Sequence, residues 1–418
     1  MSAHILLIAD GRSPTALSWI TNIQALGYTV SLVSTFPCNP PEGVLHFSIL
    51  PIAFSQLSPS AQASLTAPDG QPKSNPARRL IRHFAPVLQP LRDLLGPLTV
   101  TRFARPYQAL VSNVKPDLVH ALRIPFEGML GSYTPKGIPF IAATWGNDLT
   151  LHASASPLMR TFTQRCLARA DGFTADTQRD VRLARNWGLP ADVPTLVVPG
   201  SGGLDLKTIF AAPRLDPGAF GLPASGVFVV NPRGMRPKSV HQDVFFAAIP
   251  AVLTRHPEVH FICPNLAGNR QAETWVNQYG IQNHTHLLPK LSQPQLWSLL
   301  KSARVFVSPS SHDGTPNSLL EAMSCGCFPI VGDIESLREW IDNSVNGLLV
   351  DPRSPARLAE ALCRALEDQA LHQKAAEHNL ALVRQRASQE ATRPQIYNFY
   401  EKFMSGESSI VSGESGIR

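Results

Sequence analysis

The sequence predicts an α/β protein of two domains, and three observations predict it. Short, continuous apolar runs recur along the chain and alternate with stretches of helical spacing, as in Ile5–Ile8, Phe140–Thr144, Val227–Val230, His260–Cys263 and Val305–Val307. Strands of that kind are buried on both faces, and in the second half they predict a doubly wound parallel sheet. A length of 418 residues suits two domains of ~100–200 residues each. Finally, Pro213, Pro217 and Pro223 with Gly218 and Gly221 mark a crossing between the halves.

Taken in order, the first half opens on a strand at Ile5–Ile8 and the loop Asp10-Gly11-Arg12-Ser13-Pro14. A helix from about Thr15 to Leu26 stops at Gly27, and a strand follows at Thr29–Val33. That is the start of a βαβ unit. The loop lacks G-x-G-x-x-G, so no dinucleotide is indicated there. Residues 53–76, rich in Pro, Ser, Ala and Gln, predict a long loop. In 73–105 the charge changes sharply: Lys73, Arg78, Arg79, Arg82, Arg92, Arg102 and Arg105 are opposed by Asp93 alone, and leucines lie between them. Such a basic amphipathic segment fits an anionic membrane surface or the solvated edge of core-packed helices. Pro86, Pro90 and Pro97 should break it into short helices. Strands resume at Asp117–His120, Phe140–Thr144, Ala170–Thr174 and Leu196–Pro199. His120 is expected to be a core histidine.

The second half repeats the alternation, with a strand at Val227–Val230 and the cationic loop of Arg233, Arg236 and Lys238. Further strands follow at His260–Cys263, Thr285–Leu288, Val305–Val307, Phe328–Val331 and Leu348–Val350. The last helix, about Ala391 to Phe403, carries Ile396, Phe399, Tyr400 and Phe403 on one face. Residues 405–418, small and polar, are expected to be disordered.

Composition narrows the function classes. Hydrophobic residues make up 44% and charged ones 16%, as in a soluble globular protein. No apolar run reaches the ~18 residues of a membrane-spanning helix, and the N-terminus lacks the basic start of a signal peptide. The six scattered cysteines include Cys325-Gly-Cys327, which is tighter than zinc or redox spacing. They predict buried thiols in a reducing cytoplasm and no metal. A net charge of +6 suits nucleic acid, membrane or an anionic substrate. No nucleic-acid-binding pattern accompanies it, and no nucleic-acid partner is expected.

The chemistry concentrates at 305–321. A buried strand breaks into the loop Ser308–Pro316, and a helix starts near Asn317. That geometry aims backbone N–H groups and a helix dipole at an anion. Asp313 lies in the loop, and Glu321 shares a helix face with Asn317. Two carboxylates beside a phosphate cradle suit a nucleotide sugar. The same residues also permit a plainer reading, in which Ser318-Leu-Leu-Glu321 is a capping box and Asp313-Gly314 an ordinary turn.

Asp313 and Glu321 are separated by seven residues and precede Ala322-Met323-Ser324-Cys325-Gly326. Together they resemble the E-x7-E signature of the retaining glycosyltransferases of family 4. Pro329-Ile330-Val331, Glu339-Trp340 and Asn346-Gly347 also fall where that family has similar residues. The first acid is Asp rather than Glu and reaches about one methylene less far. The resemblance implies the GT-B fold, two Rossmann-like domains facing across a cleft. Residues 1–207 would form the acceptor side, with a basic insertion at about 53–105. Residues 208–390 would hold the donor, and a helix at 391–404 would cross back onto the first domain.

It also implies roles. Arg233 and Lys238 match the family's Arg-x4-Lys pair, which holds the donor diphosphate, and Asp313 would touch the transferred sugar. Gly314, Thr315, Pro316, Asn317, Ser318 and Leu319 would surround the donor, with Glu321 on the ribose. Trp145 stands where many members carry a histidine and does not inherit that residue's role, though an aromatic ring there could form a sugar-stacking wall; Asp148 is a candidate on the acceptor side. Gly11, Arg12 and Ser13 are candidates for phosphate or acceptor contact. No metal or other cofactor is expected. The implied partners are a nucleoside-diphosphate sugar and a glycan or lipid-linked acceptor, at the inner face of the cytoplasmic membrane. Two rival readings remain: a nucleotide-sugar epimerase of the same fold, a class that shows no comparable Asp-x7-Glu loop, and a non-catalytic nucleotide-sugar binder, which Asp313 and Trp145 favour.

Overall fold

The computed structural model describes residues 2–57 and 76–404, side chains of 76–91 and 219 apart. The loop expected at 53–76 falls largely, and the tail at 405–418 wholly, outside those residues.

Two all-parallel sheets carry the chain. The first comprises β1 (His4–Ala9), β2 (Thr29–Ser34), β3 (Phe47–Ile49), β4 (Leu118–Ala121), β5 (Phe140–Thr144), β6 (Gly172–Ala175) and β7 (Thr195–Val197). Its order is 3-2-1-4-5-6-7. The second comprises β8 (Val227–Val230), β9 (Val259–Cys263), β10 (Thr285–Leu287), β11 (Val305–Ser308), β12 (Phe328–Gly332) and β13 (Leu348–Val350), in the order 10-9-8-11-12-13. The continuous apolar runs are explained by burial on both faces. Leu6 and Ile8 join one core while Ile5 and Leu7 join the core on the opposite face, and Val305 and Val307 are divided from Phe306 in the same way. In each sheet the order reverses beside the first strand, between β1 and β4 and between β8 and β11. A doubly wound sheet binds ligands beyond the carboxyl ends of its strands at such points.

One expectation is corrected. From residue 76 onward the basic segment is not broken by its prolines; it forms part of a single 39-residue helix, Pro76–Val114. Pro97 cannot donate to the carbonyl of Asp93 four residues earlier. The Ser156 hydroxyl donates to that carbonyl instead, at 2.7 Å, so the helix passes the proline with its acceptor satisfied.

The last helix, Gln389–Met404, packs Ile396, Phe399 and Tyr400 into the core that also holds Ile5, Leu7 and Trp19 of the first sheet's layer. The Trp19 indole donates to the Tyr400 hydroxyl at 3.0 Å, and His120 Nδ1 lies 2.8 Å from the same oxygen. His120 is fully buried, and burial holds its pKa down at about 3. It is a neutral core histidine that helps dock this helix. The two chain crossings between the sheets run side by side, tied by Leu204 N–H to Ala387 C=O at 2.7 Å and Gln389 N–H to Leu204 C=O at 2.9 Å. No described helix is long and apolar enough to cross a membrane. The six cysteines are free thiols, all buried except the half-buried Cys325.

Candidate active site

The second domain supplies two loops at its switch point. After β8, Arg233 donates from Nη2 to Asp313 Oδ2 at 2.6 Å and from Nη1 to Ser318 Oγ at 3.2 Å. Their side chains are 7% and 15% exposed, so this is a largely desolvated ion pair. Arg236 is exposed, and its pKa is lowered to about 10, first by the neighbouring Arg233 charge. The loop therefore holds more positive charge than Asp313 neutralises. Lys238, also exposed, sits at a left-handed φ of 69°, and its carbonyl accepts from the Ser311 hydroxyl at 3.3 Å. Ser311 N–H donates to the Ser239 carbonyl at 2.9 Å. The two loops thus hold one another.

After β11, the helix Asn317–Ser324 begins behind Pro316, which caps it with no side-chain hydrogen bond. The capping-box reading of Ser318 and Glu321 is thereby removed. Glu321 is 3% exposed, and its Oε1 accepts from Gln293 Nε2 and, at 3.1 Å, from Trp297 Nε1. Burial pushes its pKa up to about 7, against the pull of those two donors. Leu319 is corrected from a donor-facing residue to a core one. Its side chain is fully buried and its N–H closes on the Pro316 carbonyl at 2.9 Å. Pro316 has no N–H to offer, which leaves Asn317 and Ser318 as the first amides of the helix. Asn317 Oδ1 accepts from Ser201 Oγ at 3.1 Å.

The first domain closes against this loop. Thr315 N–H donates to Asp176 Oδ2 at 3.0 Å, and Thr315 Oγ1 donates to the Asp176 carbonyl at 2.6 Å. Gly314 and Gly146 meet backbone to backbone: a Cβ on Gly314 would lie 2.6 Å from Gly146 Cα. Gly146 stands at a φ of 50°, so a glycine is required there for both space and conformation. Both Glu339 oxygens accept at 2.9 Å from the N–H groups of Gln178 and Arg179, a cap supplied from the other domain. Burial and the adjacent Asp180 raise the Asp176 pKa well above the carboxylate range.

Opposite lies a cavity of about 230 Å³ at the first switch point, lined by Asp10, Ser13, Phe36, Arg92, Arg123, Glu127, Trp145 and His152 among others. Arg12 lies over the Phe36 ring at 3.9 Å and grips Asp10 through two hydrogen bonds of 2.9 Å. Ser13 caps the helix Pro14–Gln24. Gly11 packs so tightly that a Cβ would come 2.7 Å from Cys38 Sγ. Of this trio, Ser13 lines the cavity, while Arg12 acts on it through Asp10. Asp148 is fully buried. Its Oδ1 is taken by Arg123 and its Oδ2 accepts from the Trp145 N–H at 3.1 Å. Both oxygens being engaged, Asp148 positions Arg123 and Trp145 rather than offering a free carboxylate to an acceptor. Glu127 accepts from Thr35 Oγ1 at 2.7 Å, and burial raises its pKa.

Asp176, Gln293, Trp297, Arg123 and Glu127 were not singled out by sequence. Asp176 and Arg123 fall just past the carboxyl ends of strands, which is the signal that could have found them. Among the described residues no group of three or more His, Cys, Asp or Glu is placed to hold a metal ion.

Two parallel-sheet domains with their switch points facing across a cleft define the GT-B class. Residues 10–200 match the glycosyl transferase 4-like domain and residues 234–380 the glycosyl transferases group 1 family; the chain belongs to the family-4-like GT-B glycosyltransferases. Over 225 residues it is 27% identical to the phosphatidyl-myo-inositol mannosyltransferase of Mycobacterium tuberculosis, covering 52% of this chain and 57% of that one. Over 109 residues, 25% of this chain and 28% of the other, it is 33% identical to the GDP-mannose:cellobiosyl-diphosphopolyprenol alpha-mannosyltransferase of Xanthomonas campestris. The matches thus span little more than half of such relatives at most. Among solved structures it is similar to sucrose-phosphate synthase from Thermosynechococcus elongatus, with a TM-score of 0.72 at 18% identity over 96% of this chain and 99% of the other. It is also similar to Anabaena HepE in complex with UDP-glucose, with a TM-score of 0.66 at 16% identity over 96% and 99%.

Proposed function

We propose that this chain is a retaining glycosyltransferase. It moves a hexose-type sugar from a nucleoside diphosphate, without a metal ion, to a glycan or lipid-linked acceptor in cell-surface polysaccharide or glycolipid synthesis. The observation that carries the reading is the cationic loop of Arg233 and Arg236 beside the start of the helix Asn317–Ser324, with Arg236 within electrostatic reach of Arg123 in the wall of the first domain's cavity. Negative charge grows on the diphosphate as the sugar leaves, so cations fixed there stabilise the transition state more than the ground state. The incoming diphosphate competes with Asp313 for Arg233, and the released Asp313 turns to the sugar. Lys238 adds a third cation. Glu321 accepts from the ribose hydroxyls. The acceptor hydroxyl attacks the face the diphosphate leaves, forming the new C–O bond as the old one breaks and passing its proton to the departing phosphate.

A peripheral site on the cytoplasmic face of a membrane fits the helix that borders the cavity. Leu94, Leu95 and Leu98 are 49%, 38% and 47% exposed, and Arg102 and Arg105 are exposed beyond them. This suits an anionic lipid surface. UDP and UDP-glucose are bound by neighbouring folds, and a phosphatidylinositol and a polyprenol-linked glycan are named for relatives, which supports the substrate classes.

Proton NMR of the product tests the reaction. The transferred sugar should keep the anomeric configuration of the donor. An inverted product refutes retention, an epimerised nucleotide sugar formed without acceptor favours the epimerase, and binding without turnover across a broad acceptor panel favours the non-catalytic binder.

A further inference from the structure

The cavity holds a cation that the proposed transfer does not use. Arg92, half-buried, enters it from the helix Pro76–Val114. Its guanidinium lies 4.7 Å from the centre of the Phe126 ring and 5.7 Å from that of Phe36. Its Nε is buried without a hydrogen-bond partner. The nearby acids have other engagements: Asp10 with Arg12, Glu127 with the Thr35 hydroxyl and Asp148 with Arg123. Asp93, next along the helix, completes this part of the lining.

The seat is built rather than incidental. Phe126 is held at a left-handed φ of 69°, a conformation that a bulky residue adopts only under constraint. Its ring fits against Gly96, where a Cβ would approach to 2.7 Å. The helix that carries Arg92 therefore also leaves the gap for the ring beneath it. Two aromatic faces hold a guanidinium by cation–π attraction. Its planar fork matches a phosphate or a carboxylate, and an idle buried donor is costly until such a group arrives.

We propose that Arg92 reads an acidic group, phosphate or carboxylate, on the acceptor glycan, an assignment that rests on the glycosyl transfer proposed above. Arg92 sets which acceptor is taken and leaves the donor to the other domain.

Calorimetric titration of the full chain tests this with three probes: methyl glucoside, methyl glucuronide and methyl glucoside 6-phosphate, each with and without UDP or GDP. At least one charged glycoside should bind roughly 10- to 100-fold more tightly than the neutral one, the range a hydrogen bond to a charged group supports. Arg92→Gln should erase that preference without changing the neutral probe, and Arg92→Lys should keep part of it. The charged probe that gains more names the acid. Equal binding of all three, no binding of any, or a preference that survives Arg92→Gln would overturn the proposal. Whether UDP or GDP alone binds decides the donor reading separately. A wild-type thermal midpoint and nucleotide response in Arg92→Gln show that the change is local.

Discussion

Arg233→Ala lowers transfer by about 10²- to 10³-fold, the loss typical of removing one preorganised donor from a developing oxyanion. The side chain is positioned by its own loop, since Arg233 N–H bonds Asn231 Oδ1 at 3.3 Å, and Asn231 is fully buried. The substitution also strands Asp313 in a poorly solvated place, and breaking such a pair destabilises the fold. Two further variants separate these effects. Arg233→Ala combined with Asp313→Asn restores much of the stability but not the rate. Arg233→Lys keeps a charge without the fork that spans Asp313 and Ser318, and recovers the rate only in part. Lys238→Ala should act on transfer by a similar order while leaving the fold intact, because its side chain is exposed. Near-normal transfer in Arg233→Ala would remove the cationic loop from the mechanism.

Glu321→Gln should stabilise the protein at high pH while damaging donor binding. In the folded chain the Glu321 pKa is raised from the ordinary 4.5 to about 7 by burial. A carboxyl raised in this way contributes stability that is fully present below about 4.5 and is lost as pH rises through about 7. The difference corresponds to about 3 kcal/mol. Glutamine keeps an oxygen for Gln293 and Trp297 but never ionises. At pH 8 the variant should resist denaturant better than wild type by up to that amount, with the gap closing toward pH 5. Donor KM should rise by about 10- to 100-fold, as expected for losing hydrogen bonds to a charged group. In wild type, donor affinity should fall as pH drops below about 7. A variant less stable than wild type at pH 8 would show instead that the carboxylate is needed by the fold. Stability given up at one residue for a ligand is a common trade at functional sites.

Much of the architecture was legible because a parallel sheet leaves a plain trace. Runs such as Val305–Val307 and Val227–Val230 are apolar on both faces, and that continuity marks central strands. The edge strand Phe47–Ile49 leaves no such trace, since all three of its residues are only half-buried. The 39-residue helix was misread because proline normally ends a helix, and its rescue at Pro97 comes from Ser156, 63 residues away from the carbonyl it satisfies. The site divides in the same way. Asp313, Gly314 and Glu321 lie on one strand–loop–helix and are visible as a motif. The partner that closes on Thr315 is Asp176, 139 residues earlier, and Arg233 reaches Asp313 across 80 residues. No local pattern records contacts of that range. The Glu321 environment is a further case, because Gln293 and Trp297 meet it only through the packing of two helices.

Thermal unfolding with UDP, GDP, ADP and their sugars, each with and without magnesium, tests the central claim most directly. A nucleotide at 100 times its dissociation constant adds about 2.7 kcal/mol to stability. One nucleotide should raise the midpoint equally with and without the metal, and the shift should vanish in Glu321→Ala. If none of them shifts the midpoint of the folded wild-type protein, the loop between β11 and the helix Asn317–Ser324 is not a donor site.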